Sequence, residues 1–463
     1  MTAISADTHA SADSPASTFW TLDRVAEALG GGPRGATALA GIATDSRTIR
    51  PGTVFVALRG DNFDAHDFLD AAVRAGAAAL VISRPGIASG LTIPVFEVPD
   101  TLVALGQLGQ YRRRAWGKPV VGITGTNGKT STKELVRAAL GSVLSVHATV
   151  GNLNNRIGVP LTLLALPDEA DIAVIEMGTS EPGEIATLRG IAEPDIAIVS
   201  SVAEGHLEGL GDIAGVLVEK ASIYEGVSIA IVPAGQPEIG QCAATRARRV
   251  VSAGLEAGDM RATKWGIDDE GLGWIEVEGV TVRPPLRGAH NLRNTMLALA
   301  AACECGVSIA DAARGIEMMP VPAMRLALQA LGKATLINDA YNANPGSTRA
   351  ALELLAHAGG GRQRVAILGT MRELGPHSRR LHEEIARQAL QSSIDLIAGC
   401  GEFAGALETV GGRDARIVTA PDVDELWAKL APRLNRDALI LLKASRGVRL
   451  ERLVPHLTTW AYR

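Results

Sequence analysis

The chain has 463 residues, with 45 Lys and Arg against 50 Asp and Glu, a formal net charge of -5. That length suits several domains, and 47% hydrophobic with 21% charged residues is a globular composition. The mildly acidic balance argues against a nucleic-acid partner, and the lack of an 18-residue apolar run argues against a membrane span.

Residues 1–18 are rich in Ser, Ala, Thr and Asp, with neither a basic start nor an apolar centre. They read as a disordered tail, not a signal peptide. The four cysteines (Cys242, Cys303, Cys305, Cys400) form no CxxC pair, so a reducing, cytoplasmic setting without disulfides is expected.

Three blocks follow. Residues 19–115 alternate short apolar runs with turns, as in "GTVFVALRGDNFDAHDF" and "GAAALVISRPG". Trp116 to Pro119 then reads as a linker. Residues 116–318 repeat a strand, loop, helix pattern ("PVVGIT", "DIAVIEMG", "PDIAIVSSV") and close on a helical segment over about 291–317. Pro320 and Pro322 suggest a second hinge. Residues 319–463 resume the alternation in "ATLINDAY", "RVAILG", "IDLIAGCG" and "ALILLKASRG". Apolar runs alternating with helices predict mostly parallel sheets. The expected fold class is therefore α/β, with a small mixed domain ahead of two parallel-sheet domains.

The stretch "VGITGTNGKT", residues 121–130, carries the first chemistry. A strand over 120–124, a loop with Gly125 and Gly128, and a helix containing 133–140 make a phosphate cradle. The glycines let the backbone curl, and the amides meet an anion at the helix N-terminus. Lys129 would reach the β- and γ-phosphates, and the Thr130 hydroxyl would ligate Mg2+. The commonest form of this loop has Gly at position 123, where this chain has Ile. Glu176 ends the apolar run 172–175, at the strand end where α/β ligands bind, and is a candidate second Mg2+ ligand. The alternative is a strand-end carboxylate in solvent.

His206 lies in the loop after the next strand. Beyond it, Asp212 is placed to cap a helix. Ile213, Val216, Leu217, Lys220 and Tyr224 share one face at helical spacing. Lys220 thus sits inside an apolar stripe. Either its charge snorkels outward, or desolvation lowers its pKa and frees the amine for chemistry. The sequence leaves both open.

Together, "TGTNGKTSTKE", "GNLNNRIGVPLTLL", "VIEMG", "GHLEGLG", "GVLVEK", "GAHNLRN", "DAYNANPGSTRAALELL" and "MRELG" resemble the Mur ligases, ATP-dependent amide-forming enzymes of peptidoglycan synthesis. The likeness runs from about Leu22 to the C-terminus. It is nearest the branch that joins D-alanyl-D-alanine to UDP-N-acetylmuramoyl-tripeptide. The D-N-P-R sequence typical of the branch adding the third stem residue is absent.

The resemblance implies three domains: a substrate domain, a central P-loop ATPase domain and a C-terminal Rossmann-like domain. It implies a cytoplasmic monomer that works through an acyl phosphate. It assigns Thr124, Gly125, Thr126, Asn127, Gly128, Lys129 and Thr130 to ATP, and Thr130 with Glu176 to one Mg2+. His206 and Lys220, the latter as a CO2-derived carbamate, would serve a second Mg2+. His290, Asn291 and Asn294 resemble a nucleotide-contacting segment, with helix capping as their alternative. Arg325 resembles an arginine brought to the phosphates. Asp339, Tyr341, Asn342 and Asn344 resemble a loop facing ATP or the incoming amine, with a plain turn as the alternative. Thr44, Asp45, Ser46 and Arg47 resemble a turn holding the uridine diphosphate, and Asn154 and Asn155 would lie beside the acceptor. Arg47 and Arg325 also suit surface charges. His66, His377 and His382 read as solvated. The chain departs from the family pattern at Thr179, Ser180 and Glu181, and at Thr370, which puts details of substrate contact in question. A rival function from another class is a P-loop switch protein without ligase chemistry.

Overall fold

The computed structural model describes residues 19–60, 63–268, 270–322, 324–358 and 360–462. The expected disordered tail, residues 1–18, lies outside the described residues. The chain forms two compact units. The first comprises residues up to Gly122 together with Ser145–Gly178 and Ala186–Asp195. The second comprises Ile123–Leu144, Thr179–Ile185 and Ile196–Arg463.

In the first unit, strands Gly41–Ala43, Thr53–Val56, Ala79–Ile82 and Val95–Glu97 form a parallel sheet in that order. Its two middle strands are buried throughout, which is why they read as unbroken apolar runs. Successive side chains alternate faces. Val54, Val56, Ala79 and Val81 pack with Trp20, Val25, Leu105 and Leu108 on one side. Phe55, Leu80 and Ile82 pack with Ala65 and Leu69 on the other.

Helix Thr101–Trp116 starts at Asp100, whose carboxylate accepts from the Leu102 and Val103 amides. It stops at Gly117 in the left-handed region, φ 70°. Of the stretch read as a linker, Trp116 is thus a buried helical residue, and strand Val120–Thr124 begins immediately after Pro119. The unit also holds the parallel pair Val146–Ala148 and Ile172–Glu176.

In the second unit, strands Ile196–Val199, Ile229–Pro233, Arg249–Gly254 and Met260–Arg261 pair in parallel. A three-stranded antiparallel sheet over 264–282 follows, which the sequence reading did not anticipate. The predicted helix over 291–317 is two helices, Ala289–Glu304 and Ile309–Glu317. Gly306, at φ 81°, ends the first, and the Ser308 hydroxyl caps the second by accepting from the Asp311 amide.

The last sheet runs Ala327–Leu331, Ala334–Asp339, Leu439–Lys443, Arg364–Leu368, Leu396–Cys400, Ile417–Ala420. Its first pair is antiparallel and the rest are parallel. Leu336, Val365, Ile367, Leu396, Ile440 and Leu442 form the core beneath it. This is the expected Rossmann-like arrangement with one antiparallel edge strand. Sheet order here brings the ends of Ala334–Asp339 and Leu439–Lys443 side by side, which matters below.

Candidate nucleotide and metal site

The loop after strand Val120–Thr124 is shaped by two glycines. Gly125 has φ 147°, and a Cβ there would lie 2.2 Å from Ser200 Oγ. Gly128 has φ 80°, and a Cβ would lie 2.8 Å from the Asn294 side-chain amide. Ser200 Oγ donates to the Asn127 carbonyl at 2.6 Å, and the Thr126 and Asn127 amides donate to Ser201 O and Oγ. Lys129 doubles back to donate to the Gly125 carbonyl at 2.7 Å. Helix Lys129–Leu140 carries no side-chain cap from Gly128, which suits an anion at its positive end. Ile123 lies within the strand, fully buried, so the position usually held by Gly belongs to the core and not to the loop.

Residues from the C-terminal sheet meet this loop within the same unit. Arg325 Nη2 donates to Thr130 Oγ1 at 2.8 Å, and its guanidinium lies 4.4 Å from the Tyr341 ring centroid. Arg325 is therefore not a bare surface charge. Asn344 Nδ2 donates to Asn127 Oδ1 at 2.6 Å. The same Asn344 caps helix Pro345–His357 through a capping box with Ser347, so the turn reading holds and the same side chain also reaches the loop.

Asp339 pairs with the Lys443 ammonium at 2.6 Å, and Lys443 also donates to the Asn342 carbonyl. The sequence reading missed Lys443 and the Ser200–Ser201 pair. The signal for Lys443 was available: like Glu176, it is a charged residue at the carboxyl end of a buried apolar strand. His290 has its pKa pulled down to about 4 by burial, with the Lys443 and Arg293 cations adding and Asp339 opposing. Asn291 and Asn294 lie inside helix Ala289–Glu304 rather than capping it, joined to each other at 3.2 Å.

Lys220 is the centre of the second cluster. Asp212 caps helix Ile213–Ala221 as expected, by accepting from the Gly215 amide. Val216 and Tyr224 are buried on the Lys220 face, but Ile213 is 53% exposed and leaves the predicted stripe. Lys220 itself has no exposed surface, and its Nζ has no hydrogen-bond partner. It does not snorkel. Burial pushes its pKa well down, the Lys129 cation adds to this, and Glu219, Glu184 and Glu373 oppose it.

Glu219 spends its carboxylate elsewhere, accepting from the Ile185 and Gly183 amides at 2.7 Å each and from Thr179 Oγ1 at 3.3 Å. That accounts for one of the family departures, since Thr179 braces the loop beside Lys220. His206, at φ 57°, is hydrogen-bonded through Nδ1 to the Glu373 carboxylate, another residue the sequence reading missed. Burial lowers the His206 pKa, Glu373 opposes this, and Lys129 and Lys220 add to it.

In the first unit, Glu176 is only 2% exposed, which removes the solvent reading. Its Oε1 accepts from Asn154 Nδ2 at 2.8 Å, and its Oε2 has no hydrogen-bond partner. Asn155 turns inward locally, its Oδ1 accepting from the Ile157 and Gly158 amides ahead of helix Gly158–Leu164. Thr44 and Ser46 flank Asp45, which caps a short 3-10 turn and forms a two-pronged pair with Arg47. Arg47 holds the Asp45 carboxyl below its usual range. The Arg47 side chain is 80% exposed.

Two histidines read as solvated are buried. His66 bonds Asp64 and accepts from the Ser83 amide. His382 accepts from the Met371 amide through Nε2 and donates from Nδ1 to the Ser378 carbonyl. Thr370, the other family departure, accepts from the Glu402 amide at the start of helix Glu402–Gly411, a structural role.

Among the described residues no group of three or more His, Cys, Asp or Glu could hold a metal alone. A Mg2+ would therefore draw on hydroxyl, single-carboxylate and phosphate oxygens, as nucleotide-bound Mg2+ does. No described helix is long and apolar enough to cross a membrane.

Residues 38–113 match the Mur ligase family catalytic domain, residues 123–302 the Mur ligase middle domain, and residues 324–446 the Mur ligase glutamate ligase domain. The chain is 35% identical over 430 residues to UDP-N-acetylmuramoyl-tripeptide--D-alanyl-D-alanine ligase of Bacillus subtilis, covering 91% of this chain and 93% of that one. It is 35% identical over 447 residues to the Escherichia coli enzyme of the same name, covering 94% and 97%. Among solved structures, MurF from Acinetobacter baumannii superposes with a TM-score of 0.88 at 32% identity, covering 95% of this chain and 99% of that one. MurF ligase from Thermotoga maritima, in complex with ADP, gives 0.81 at 28% identity, covering 91% and 97%.

Proposed function

The chain belongs to the Mur ligase family, and on that premise we propose that it joins D-alanyl-D-alanine to UDP-N-acetylmuramoyl-tripeptide at the expense of ATP. The terminal carboxylate of the tripeptide attacks the γ-phosphate, giving an acyl phosphate and ADP. The dipeptide amine then attacks the acyl carbon, and phosphate leaves. The reaction belongs to the cytoplasmic stage of peptidoglycan synthesis, and the protein works as a monomer.

The first step brings two anions together, so it needs fixed positive charge. Lys129 and the helix N-terminus behind it bind the phosphates, with Thr124–Thr130 as their cradle. Arg325, already bonded to Thr130 and stacked on Tyr341, adds a planar cation that suits bidentate phosphate contact. Asp339, His290, Asn291 and Asn294 contact the nucleotide. Asn342 and Asn344 face the amine, and Asn154 with the Thr44–Arg47 turn takes the UDP-substrate. The functional regions run 19–115, 116–318 and 319–463.

Taken singly, two donors suit Mg2+. Glu176 offers a buried carboxylate oxygen without a hydrogen-bond partner, and Thr130 a hydroxyl. His206 and a carbamate on Lys220 would hold a second ion, and bound Mg2+ would neutralise charge on the transferring phosphoryl group.

The observation that carries this reading is Lys220: a fully buried amine, without a hydrogen-bond partner, within electrostatic reach of His206 and the phosphate-loop lysine. A carbamate turns that amine into an oxygen ligand. A P-loop switch protein would use Lys129 and Thr130 but has no need of Lys220.

The test is phosphate release with Mg-ATP, omitting each co-substrate in turn. Release that requires both, with a UDP-pentapeptide as product, is the expected result. ATP turnover indifferent to both co-substrates would overturn the assignment. Resonance at Lys220 after 13C-bicarbonate equilibration, read by NMR, is the expected sign of the carbamate, and its absence would sink that part alone.

A further inference from the structure

We infer that Glu373 is a positioning residue for the metal site: its carboxylate holds the His206 imidazole by Nδ1, so that Nε2 is presented to the divalent cation. This inference rests on the proposed function, in which His206 serves a metal.

Four observations converge on it. First, the His206–Glu373 hydrogen bond joins residues 167 positions apart, and among the described residues nothing hydrogen-bonds His206 Nε2. A carboxylate on one ring nitrogen sets the tautomer that leaves the other nitrogen's lone pair for the metal, and it raises that nitrogen's basicity. Second, both residues adopt left-handed backbone, φ 57° and 63°. A non-glycine residue pays for that conformation, and such strain gathers where side-chain aim matters.

Third, the segment carrying Glu373 is docked on both sides. The Glu208 amide donates to the Glu373 carbonyl at 3.1 Å. A Cβ on Gly375 would come within 3.0 Å of Glu208 Cα. On the other side, the Met371 amide donates to buried His382, and the Arg372 amide donates to Ser445 Oγ at 2.9 Å. That network fixes the backbone that carries Glu373, while its side chain stays 49% exposed. Fourth, Lys129 and Lys220 act electrostatically on both His206 and Glu373, so all four groups lie within electrostatic reach of one another.

The experiment titrates Mn2+ alone against the bicarbonate-equilibrated full chain, reading free Mn2+ by electron paramagnetic resonance. It compares wild type, Glu373→Gln, His206→Ala and the double variant, with thermal unfolding of each. The expected result is that Glu373→Gln weakens binding by about tenfold to a hundredfold at an unchanged unfolding temperature. The double variant should bind no more weakly than His206→Ala alone, because Glu373 acts through His206. Unaltered binding by Glu373→Gln overturns the inference. So does a double variant in which the two losses add, since Glu373 would then act independently. If Glu373→Gln lowers the unfolding temperature, Glu373→Ala is measured the same way, and weakening that the His206→Ala background does not abolish overturns the inference. If His206→Ala binds Mn2+ like wild type, the metal reading itself fails, a pattern none of the other outcomes produces.

Discussion

Two buried lysines sit in two regions of this molecule and behave differently. Lys443, at the end of a strand in the C-terminal sheet, is 3% exposed, pairs with Asp339 at 2.6 Å and donates to the Asn342 carbonyl at 2.8 Å. Lys220, in helix Ile213–Ala221, is fully buried, and its Nζ hydrogen-bonds nothing. An ammonium loses several kcal/mol of hydration on burial unless it is paired. Lys443 recovers that loss locally, by tying together the Asp339 and Asn342 ends of one loop. Lys220 does not, although Glu219 is its neighbour in sequence and is itself buried, because that carboxylate is already taken by the loop Thr179–Ile185. Burial alone thus does not mark a reactive lysine. What separates Lys220 from Lys443 is burial without a hydrogen-bond partner.

The contrast can be broken most directly by replacing each lysine with methionine, which keeps the volume and removes the charge. Lys220→Met is expected to lower UDP-pentapeptide formation on the order of a thousandfold. Its thermal unfolding should stay at the wild-type temperature or rise, since no partner is left unpaired. Activity within about tenfold of wild type would show that Lys220 is only a core residue.

Lys443→Met is expected to do the reverse to stability. It leaves Asp339 and the Asn342 carbonyl without their partner, at a cost of about 3–5 kcal/mol, read as a lowered urea midpoint for the C-terminal region. A loss below about 1 kcal/mol would erase the difference between the two sites.

A pH series sharpens the comparison further. Burial lowers the native Lys220 pKa below its ordinary 10.5. Between those two values the unfolded chain holds a proton that the native protein does not. Raising the pH through that window therefore favours the native state, by up to about 1.4 kcal/mol per unit. In CO2-free buffer, wild type should gain stability relative to Lys220→Met as the pH climbs towards 10.5. A flat or falling difference would mean that Lys220 finds a partner in solution.

Much of the fold was legible in the sequence. Buried parallel strands need apolar residues on both faces, so "TVFV", "IAVIE", "IAIV" and "LILLK" stand out as short unbroken runs. The phosphate loop was legible because its glycines answer to local backbone geometry. The antiparallel sheet over 264–282 was not, since its strands are short and partly exposed, as in the Lys264–Ile267 strand. The break at Gly306 was passed over because apolar periodicity resumes on either side of it.

The sequence by itself determined which apolar runs become buried parallel strands, where the phosphate loop lies, and that Lys220 falls on an apolar helix face. Those properties follow from spacing along the chain and from the φ limits of single residues. Only the tertiary structure decided whether a charge is paired. Lys220 is left without a hydrogen bond, Lys443 is matched to Asp339, and Glu373 meets His206 from 167 positions away. Pairing depends on which strand ends lie side by side and on which carboxylates are already committed, and neither is a local property of the chain.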